Sequence, residues 1–362
     1  WATLKGIILL HHGVFTFHDE AQTSYENMIE LVDKAEQYLK NKNVWTNTAT
    51  AVYEPVDNDI LGCAIARQRA SLCYGKPLLT RWDVAPESVG YASLPAIDVI
   101  ATRGPLTPDH TLHTKHIPMI VEENIATAVD AFANAYREYF TRHTSGLLTC
   151  LDAAPRVAIW KTRGMLYFAP NAKRLRVVRD IAAHTRRAVQ WSEGLGGWRA
   201  LPEKELFDLE YWELEQAKLT VSSAAPVMEG RIAIVTGAAS GIGKATVAAL
   251  LQQGACVVAL DINPAITTLF NSDNVLGIVC DVTDRQQLKK SVQQTVMHFG
   301  GLDMLVCNAG LFPESSAIES LSDELLQKSL SLNFVSHVHL LQESIPYLER
   351  GFDASVVIVA SK

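Results

Sequence analysis

The feature that most constrains this chain is a set of glycines in a fixed frame. An apolar strand-like run, Ile232-Ala-Ile-Val-Thr236, leads directly into Gly237-Ala-Ala-Ser-Gly241-Ile-Gly243, and a helical pattern then runs through Lys244 to Gln253. Glycine is needed where a turn is tight, where backbone must approach a ligand, and where a helix lies close to a strand. The exposed N–H groups and the positive end of the helix then favour an anionic phosphate. Gly237, Ser240, Gly241, Ile242 and Gly243 are the residues expected to line such a cradle. A second apolar run, Cys256-Val-Val-Ala-Leu260, ends on Asp261, where a carboxylate can hold both hydroxyls of a ribose. A carboxylate there also repels a 2′-phosphate, so NAD is favoured over NADP. The expected fold for residues 228–362 is a doubly wound, parallel Rossmann α/β sheet.

The spacing T-G-x-x-x-G-x-G resembles the short-chain dehydrogenase/reductase family, and further motifs follow in that family's order. Asp281 and Val282, after Cys280, match its adenine-contacting strand end, and Asn308-Ala309-Gly310, after Leu302-Asp-Met-Leu-Val-Cys307, matches its N-A-G element. Asn333 matches the helix asparagine that shapes its proton relay, and Ser361, closing Val356-Val-Ile-Val-Ala360, stands where the family carries its catalytic serine. Taken singly, the same residues also read as packing turns, a solvated strand end, a helix cap before Thr283, or a strand terminus. The resemblance implies a tyrosine and a lysine downstream, so a chain ending at Lys362 is expected to turn nothing over by itself.

The first 40 residues read as strand, turn, strand, helix: Gly6–Leu10, His11-His12-Gly13, Val14–Phe17, and a helix over Thr23–Leu39 with Thr23 or Ser24 as cap. Helices are also expected over 60–75 and 122–142, with an extended, proline-rich connection over 103–118. Residues 156–190 lie over the first unit without a gap, placing Gly13 on Gly164, Phe15 on Leu166, Phe17 on Phe168 and His12 on Arg163. Duplication and coincidence both account for that overlay. Residues 201–219 read as one acidic amphipathic helix, and the small residues over 222–227 as a linker. The expected organisation is therefore an α/β region over 1–221, the linker, and the NAD-binding unit over 228–362.

Leu9-Leu10-His11-His12-Gly13 followed by Val-Phe-Thr-Phe resembles the class II aldolase/adducin family, and this implies that His12 is one of three imidazole ligands of a catalytic zinc. With Arg103-Gly-Pro-Leu-Thr-Pro-Asp-His110 and Leu201–Leu219, the whole series resembles the bifunctional rhamnulose-1-phosphate aldolase/alcohol dehydrogenase family, from which the sequence departs at His18. The implied activities are cleavage of a ketose 1-phosphate to dihydroxyacetone phosphate and lactaldehyde, and NAD-dependent oxidoreduction of the aldehyde or alcohol. Two other readings stand beside this one: a dehydrogenase with a non-catalytic extension, and an adducin-like assembly module. His110, His113 and His116 share no convergent spacing for a second metal.

A net charge of −7 gives no pull toward nucleic acid or an anionic membrane, and no apolar run reaches the length of a bilayer span. Six cysteines without a C-x-x-C pair fit a reducing cytoplasm. Both ends, Trp1 and Lys362, read as cut from a longer protein. A homo-oligomer is expected through a long helix over Asp323–Leu348, and the interrupted sheet is expected to leave an apolar edge prone to aggregation.

Overall fold

The computed structural model describes residues 4–46, 48–219, 225–313 and 317–360. Ser361 and the Ser222-Ser223-Ala224 part of the expected linker lie outside the described residues. Among the described residues no helix is long and apolar enough to cross a membrane.

The polypeptide opens with an antiparallel hairpin, β1 (Gly6–Leu9) and β2 (Gly13–Thr16), followed by the helix Ala21–Asn41. That helix begins two residues before the expected start, on Glu20, and neither Thr23 nor Ser24 caps it. The entry is instead set by His18, whose Nδ1 accepts the Glu20 N–H at 3.1 Å, while the Ser24 hydroxyl lies 3.4 Å from that of Thr16.

A four-stranded mixed sheet follows. Its strands are β3 (Leu79–Asp83), β4 (Met119–Val121), β5 (Val157–Trp160) and β6 (Gly164–Ala169), in the order β3-β6-β5-β4. Every residue of β5 and β6 is buried, as strands covered on both faces must be. The helices Asp57–Tyr74, Ile125–His143 and Ala172–Gly194 pack against this sheet. Asn124 caps the second of these by accepting the Ala126 and Thr127 N–H groups.

Two sequence expectations are corrected in this region. The connection 103–118 is not extended throughout, because Pro108 starts a tight turn over Pro108–His110 that runs into a short helix, Thr111–Thr114. The expected helix 201–219 is two helices, Glu203–Glu210 and Glu213–Leu219. The break carries Glu210 and Tyr211 into the interior, where the Tyr211 hydroxyl meets Tyr136 at 3.1 Å and accepts the Leu151 N–H at 3.2 Å. Burial there raises the Glu210 carboxyl and lowers the Lys115 ammonium, which lies 3.7 Å away.

The last part is a five-stranded parallel sheet in the order β11-β10-β7-β8-β9, comprising β7 (Ile232–Thr236), β8 (Cys256–Asp261), β9 (Val275–Val279), β10 (Met304–Cys307) and β11 (Ser355–Ile358). The chain steps from β7 outward to β9 and then returns to the other side of β7, which places the switch of strand order between β7 and β10. A parallel sheet of this type opens its ligand crevice at that switch, at the carboxyl ends of the strands. All four residues of β11 are exposed.

The two sheets share one apolar core, which runs from Cys63, Leu79 and Phe168 to Val258, Val296 and Leu305. Arg67 and Asp303, both almost wholly buried, pair across the junction. The guanidinium donates to both oxygens of Asp303, at 3.0 and 2.6 Å, and also to the carbonyls of Leu78 and Gly230. Asp303 in turn accepts the N–H groups of Ile232 and Phe352, at the starts of β7 and of the turn before β11. A buried ion pair is tolerable when its remaining donors and acceptors are filled in this way.

Candidate functional site: a dinucleotide cleft

At the carboxyl end of β7 the backbone turns through Gly237, at φ 63°, and enters the helix Gly241–Gln252 at Ser240. The three glycines of the motif have different tasks. A Cβ on Gly243 would lie 2.1 Å from the Gly237 carbonyl oxygen, so Gly243 is buried behind the turn and allows the helix to cross. Gly237 lies against Asn308 and Ala309 of the neighbouring strand end. Around Gly241, at φ 51°, a Cβ would meet nothing within 4 Å, which marks the open side of the turn.

This opening is part of a cleft of about 680 Å³ lined by Gly237, Ser240, Gly241, Ile242, Asp261 and Asp281, and by Val282, Asn308, Ala309 and Gly310. Of the cofactor-binding candidates read from the sequence, Gly243 alone is outside that lining. Asp261 closes β8, and its two oxygens accept the N–H groups of Ala239 and Asn263, each at 2.9 Å. Each oxygen keeps a further acceptor position. The Asp281 carboxylate accepts from the Thr283 amide and hydroxyl at 2.9 and 2.7 Å. The cap of the following helix is Asp284 rather than Asp281, with Asp284 accepting the Gln286 and Gln287 N–H groups.

The sequence reading missed Thr236, the residue before Gly237. Its buried hydroxyl accepts the N–H groups of both Asn308 and Ala309 at 2.9 Å, and Asn308 returns a bond from its amide to the Thr236 carbonyl at 3.0 Å. Thr236 and Asn308 therefore fasten β7 to β10 at the switch point. The available signal was the T of T-G-x-x-x-G-x-G itself. Ile262, Lys328 and Leu332 also line the cleft and carry no sequence signal of their own.

Asn333 sits in a single π-type turn, Ser331–Val335, between the helices Asp323–Leu330 and Ser336–Leu348. Its amide closes a two-way bond with Leu311, accepting that residue's N–H at 2.7 Å and donating to its carbonyl at 2.8 Å. An inserted turn of this kind re-aims one side chain within a helix, and here the side chain is aimed at the loop after Asn308-Ala309-Gly310.

His12 is exposed at the tip of the first hairpin, with its ring 5.5 Å from that of Phe15. Among the described residues no group of three or more histidine, cysteine, aspartate or glutamate side chains converges to hold a metal. These residues alone do not fit a zinc ion. His116 is buried and stacked on Tyr139, and its imidazole is pushed down to about 4, chiefly by burial.

A parallel α/β sheet with a glycine-lined crevice at its switch point defines the class as a Rossmann-type dinucleotide-binding protein. Residues 231–362 match the family model described as short chain dehydrogenase, and residues 58–219 match the one described as aldolase class II, second domain. The chain thus joins a class II aldolase domain to a short-chain dehydrogenase domain. It is 26% identical over 389 residues to the uncharacterized oxidoreductase YuxG of Bacillus subtilis, an alignment covering 98% of this chain and 55% of that protein. It is 36% identical over 141 residues to human 15-hydroxyprostaglandin dehydrogenase [NAD(+)], which covers 36% of this chain and 50% of that enzyme. The 3-ketoacyl-(acyl-carrier-protein) reductase of Brucella melitensis, solved with NADH, is 26% identical over 37% of this chain and 58% of its own, with a TM-score of 0.36. The chain spans about half the length of the curated relatives it matches.

Proposed function

We propose that this chain is part of a bifunctional sugar-degrading enzyme, in which the C-terminal domain is an NAD-dependent dehydrogenase acting on the aldehyde or alcohol released by an aldolase. The observation that carries the reading is the placement of Asp261 in the lining of a cleft that also holds the glycine turn, open at Gly241. NAD, when bound, supplies the nicotinamide that takes up or gives a hydride. The residues of the chain bind and orient it. The amides at the start of Gly241–Gln252 face its pyrophosphate, and Asp261 accepts from its ribose hydroxyls. Asp281 and Val282 border the adenine side, while Thr236 and Asn308 keep β7 and β10 in register. Asn333 holds the loop after Gly310 in place, and Ser361 is the proposed hydroxyl beside the substrate.

The aldolase half of the reading, cleavage of rhamnulose 1-phosphate to dihydroxyacetone phosphate and lactaldehyde, is supported by the family match over 58–219 and by the resemblance around His12. His12 is the proposed zinc ligand, with the other ligands supplied from outside the described residues. Small-molecule substrates, a homo-oligomer and a cytoplasmic setting complete the proposal.

Calorimetric titration with NAD and with NADP tests the dehydrogenase half. The parent chain is expected to prefer NAD. Asp261→Ala is expected to weaken NAD by tenfold or more, since it removes two charge-assisted hydrogen bonds of about 1.5 kcal/mol or more each. The same variant is expected to narrow the preference for NAD over NADP, because the repulsion of the 2′-phosphate is gone. Equal loss for both cofactors, with the preference unchanged, would reject Asp261 as the ribose ligand.

A further inference from the structure

A second concave site lies at the junction of the two domains, by the start of β9. This groove has a volume of about 420 Å³, within the range of small-molecule sites. Arg81 reaches it from β3 and Arg179 from the helix Ala172–Gly194, while Gln294 and His298 reach it from the helix Arg285–Phe299 of the dehydrogenase domain.

The two arginines differ from several others that reach the interior or the junction. Arg67, Arg103, Arg142, Arg156, Arg163 and Arg186 each have a carboxylate partner. Arg81 and Arg179 have neither an ion pair nor a side-chain hydrogen bond among the described residues, and the Arg179 Nε is buried without an acceptor. Asp83, the carboxylate in the groove, is already engaged by the Ser88 hydroxyl at 2.7 Å, the Tyr167 hydroxyl at 3.3 Å and the Ala85 N–H at 3.0 Å.

The pair is close enough for each charge to be felt by its neighbours. Burial, and after it the Arg179 charge, bring the Arg81 guanidinium down to about 10 against the pull of Asp83. Burial with the charges of Arg81 and Arg179 pushes His298 down to about 3, so its imidazole is neutral near pH 7 and offers one donor and one acceptor. Two like charges lining one groove, one of them partly desolvated, with a buried N–H left unmatched, cost stability unless an anion joins them. Guanidinium groups match the geometry of phosphate oxygens, and two of them supply more donors than a carboxylate can accept.

We propose that this groove binds a phosphate-bearing small molecule, gripped by the forked guanidiniums of Arg81 and Arg179 and by the Gln294 amide across the domain junction. The site is separate from the dinucleotide cleft, and its ligand would tie the aldolase-like domain to the dehydrogenase domain.

Inorganic phosphate is the probe. The thermal midpoint of the chain is followed with increasing phosphate against sodium chloride at matched ionic strength, with and without saturating NAD. A saturable rise with phosphate is expected, undiminished by NAD. Arg81→Gln and Arg179→Gln are each expected to raise the apparent phosphate Kd at least tenfold while keeping the midpoint shift caused by NAD. Should either substitution compromise the fold, Gln294→Glu offers an exposed position, and its added charge is expected to weaken phosphate by a similar factor. No rise in the parent chain, a rise that NAD abolishes, or a rise that survives all three substitutions overturns the proposal. A missing response to NAD alone counts against the dehydrogenase reading and leaves the phosphate result readable.

Discussion

Two hairpin–helix units in this chain have the same backbone and opposite surroundings. The offset that carries Gly13 onto Gly164 also carries the pairs Gly6–Thr16, Ile7–Phe15, Ile8–Val14 and Leu9–Gly13 onto Val157–Tyr167, Ala158–Leu166, Ile159–Met165 and Trp160–Gly164. It carries the turn bond from His12 N–H to Leu9 onto that from Arg163 N–H to Trp160. It carries the left-handed residue His11 onto Thr162, and the helix start Ala21 onto Ala172. Yet Ile8, Val14 and Phe15 are exposed, whereas Ile159, Met165 and Leu166 are buried between β3 and β4 and their helices. The comparison separates what local sequence dictates, the hairpin and its register, from what neighbours supply, its burial and its energy.

The largest effect should fall on the buried member. Leu166→Ala leaves a cavity at a position with no exposure and is expected to cost about 2–5 kcal/mol, whereas Phe15→Ala at 47% exposure should cost less than about 1 kcal/mol. Urea unfolding of the two variants checks the ratio. Equal losses would mean that something covers the first hairpin in solution.

The tip residues sharpen the contrast by an intermediate amount. Arg163 sits where His12 stands in the first unit, and its Nε pairs at 3.1 Å with Asp59, a carboxylate that also holds the Tyr53 hydroxyl. The guanidinium lies over the Trp160 ring as well. Arg163→Met strands the buried carboxylate, and with the arginine a third exposed the expected loss is about 1–3 kcal/mol. His12→Ala should leave stability unchanged and instead lower the zinc content of the full-length protein, where the other ligands of a zinc bound by His12 would be present. A stability loss at His12 without a change in metal would make the two tips structural equivalents and reject the ligand assignment.

How legible the molecule is from sequence follows the same division. The dehydrogenase domain could be read closely, because its signals are local and ordered along the chain. The glycine turn caps β7, Asp261 closes β8, and Asn308 follows β10. The hairpins and the helix Ile125–His143 could be read for the same reason. What escaped depends on distant partners. Glu210 and Tyr211 break an otherwise regular amphipathic helix because a buried tyrosine waits for them, and no periodicity announces that. Arg67 and Asp303 look like surface residues of two domains and are the buried link between them. Gly243 has the spacing of a phosphate contact, and its part in letting the helix cross behind the turn shows only in the folded structure. Thr236 was in plain view, but its hydroxyl has a role only once β7 and β10 are adjacent.

The smallest expected effect concerns backbone strain at the two turns. His11 and Thr162 hold φ near 59° and 65°, a region that costs a residue with a side chain about 1–2 kcal/mol and a β-branched one most. Glycine removes that cost but adds back about 0.5–1 kcal/mol through the freedom it gains when unfolded. Thr162→Gly also gives up a hydroxyl bond to the Lys161 carbonyl at 2.6 Å. The net gain expected for Thr162→Gly is therefore only about 0.5 kcal/mol, and for His11→Gly still less. Because the turn bonds and register are shared, the two gains should differ only by what β-branching adds and what the Thr162 hydroxyl bond takes away. A clear loss at either turn, measured by the same urea unfolding, would show that the left-handed residue is held by its side chain and that the two hairpins are less alike than their registers indicate.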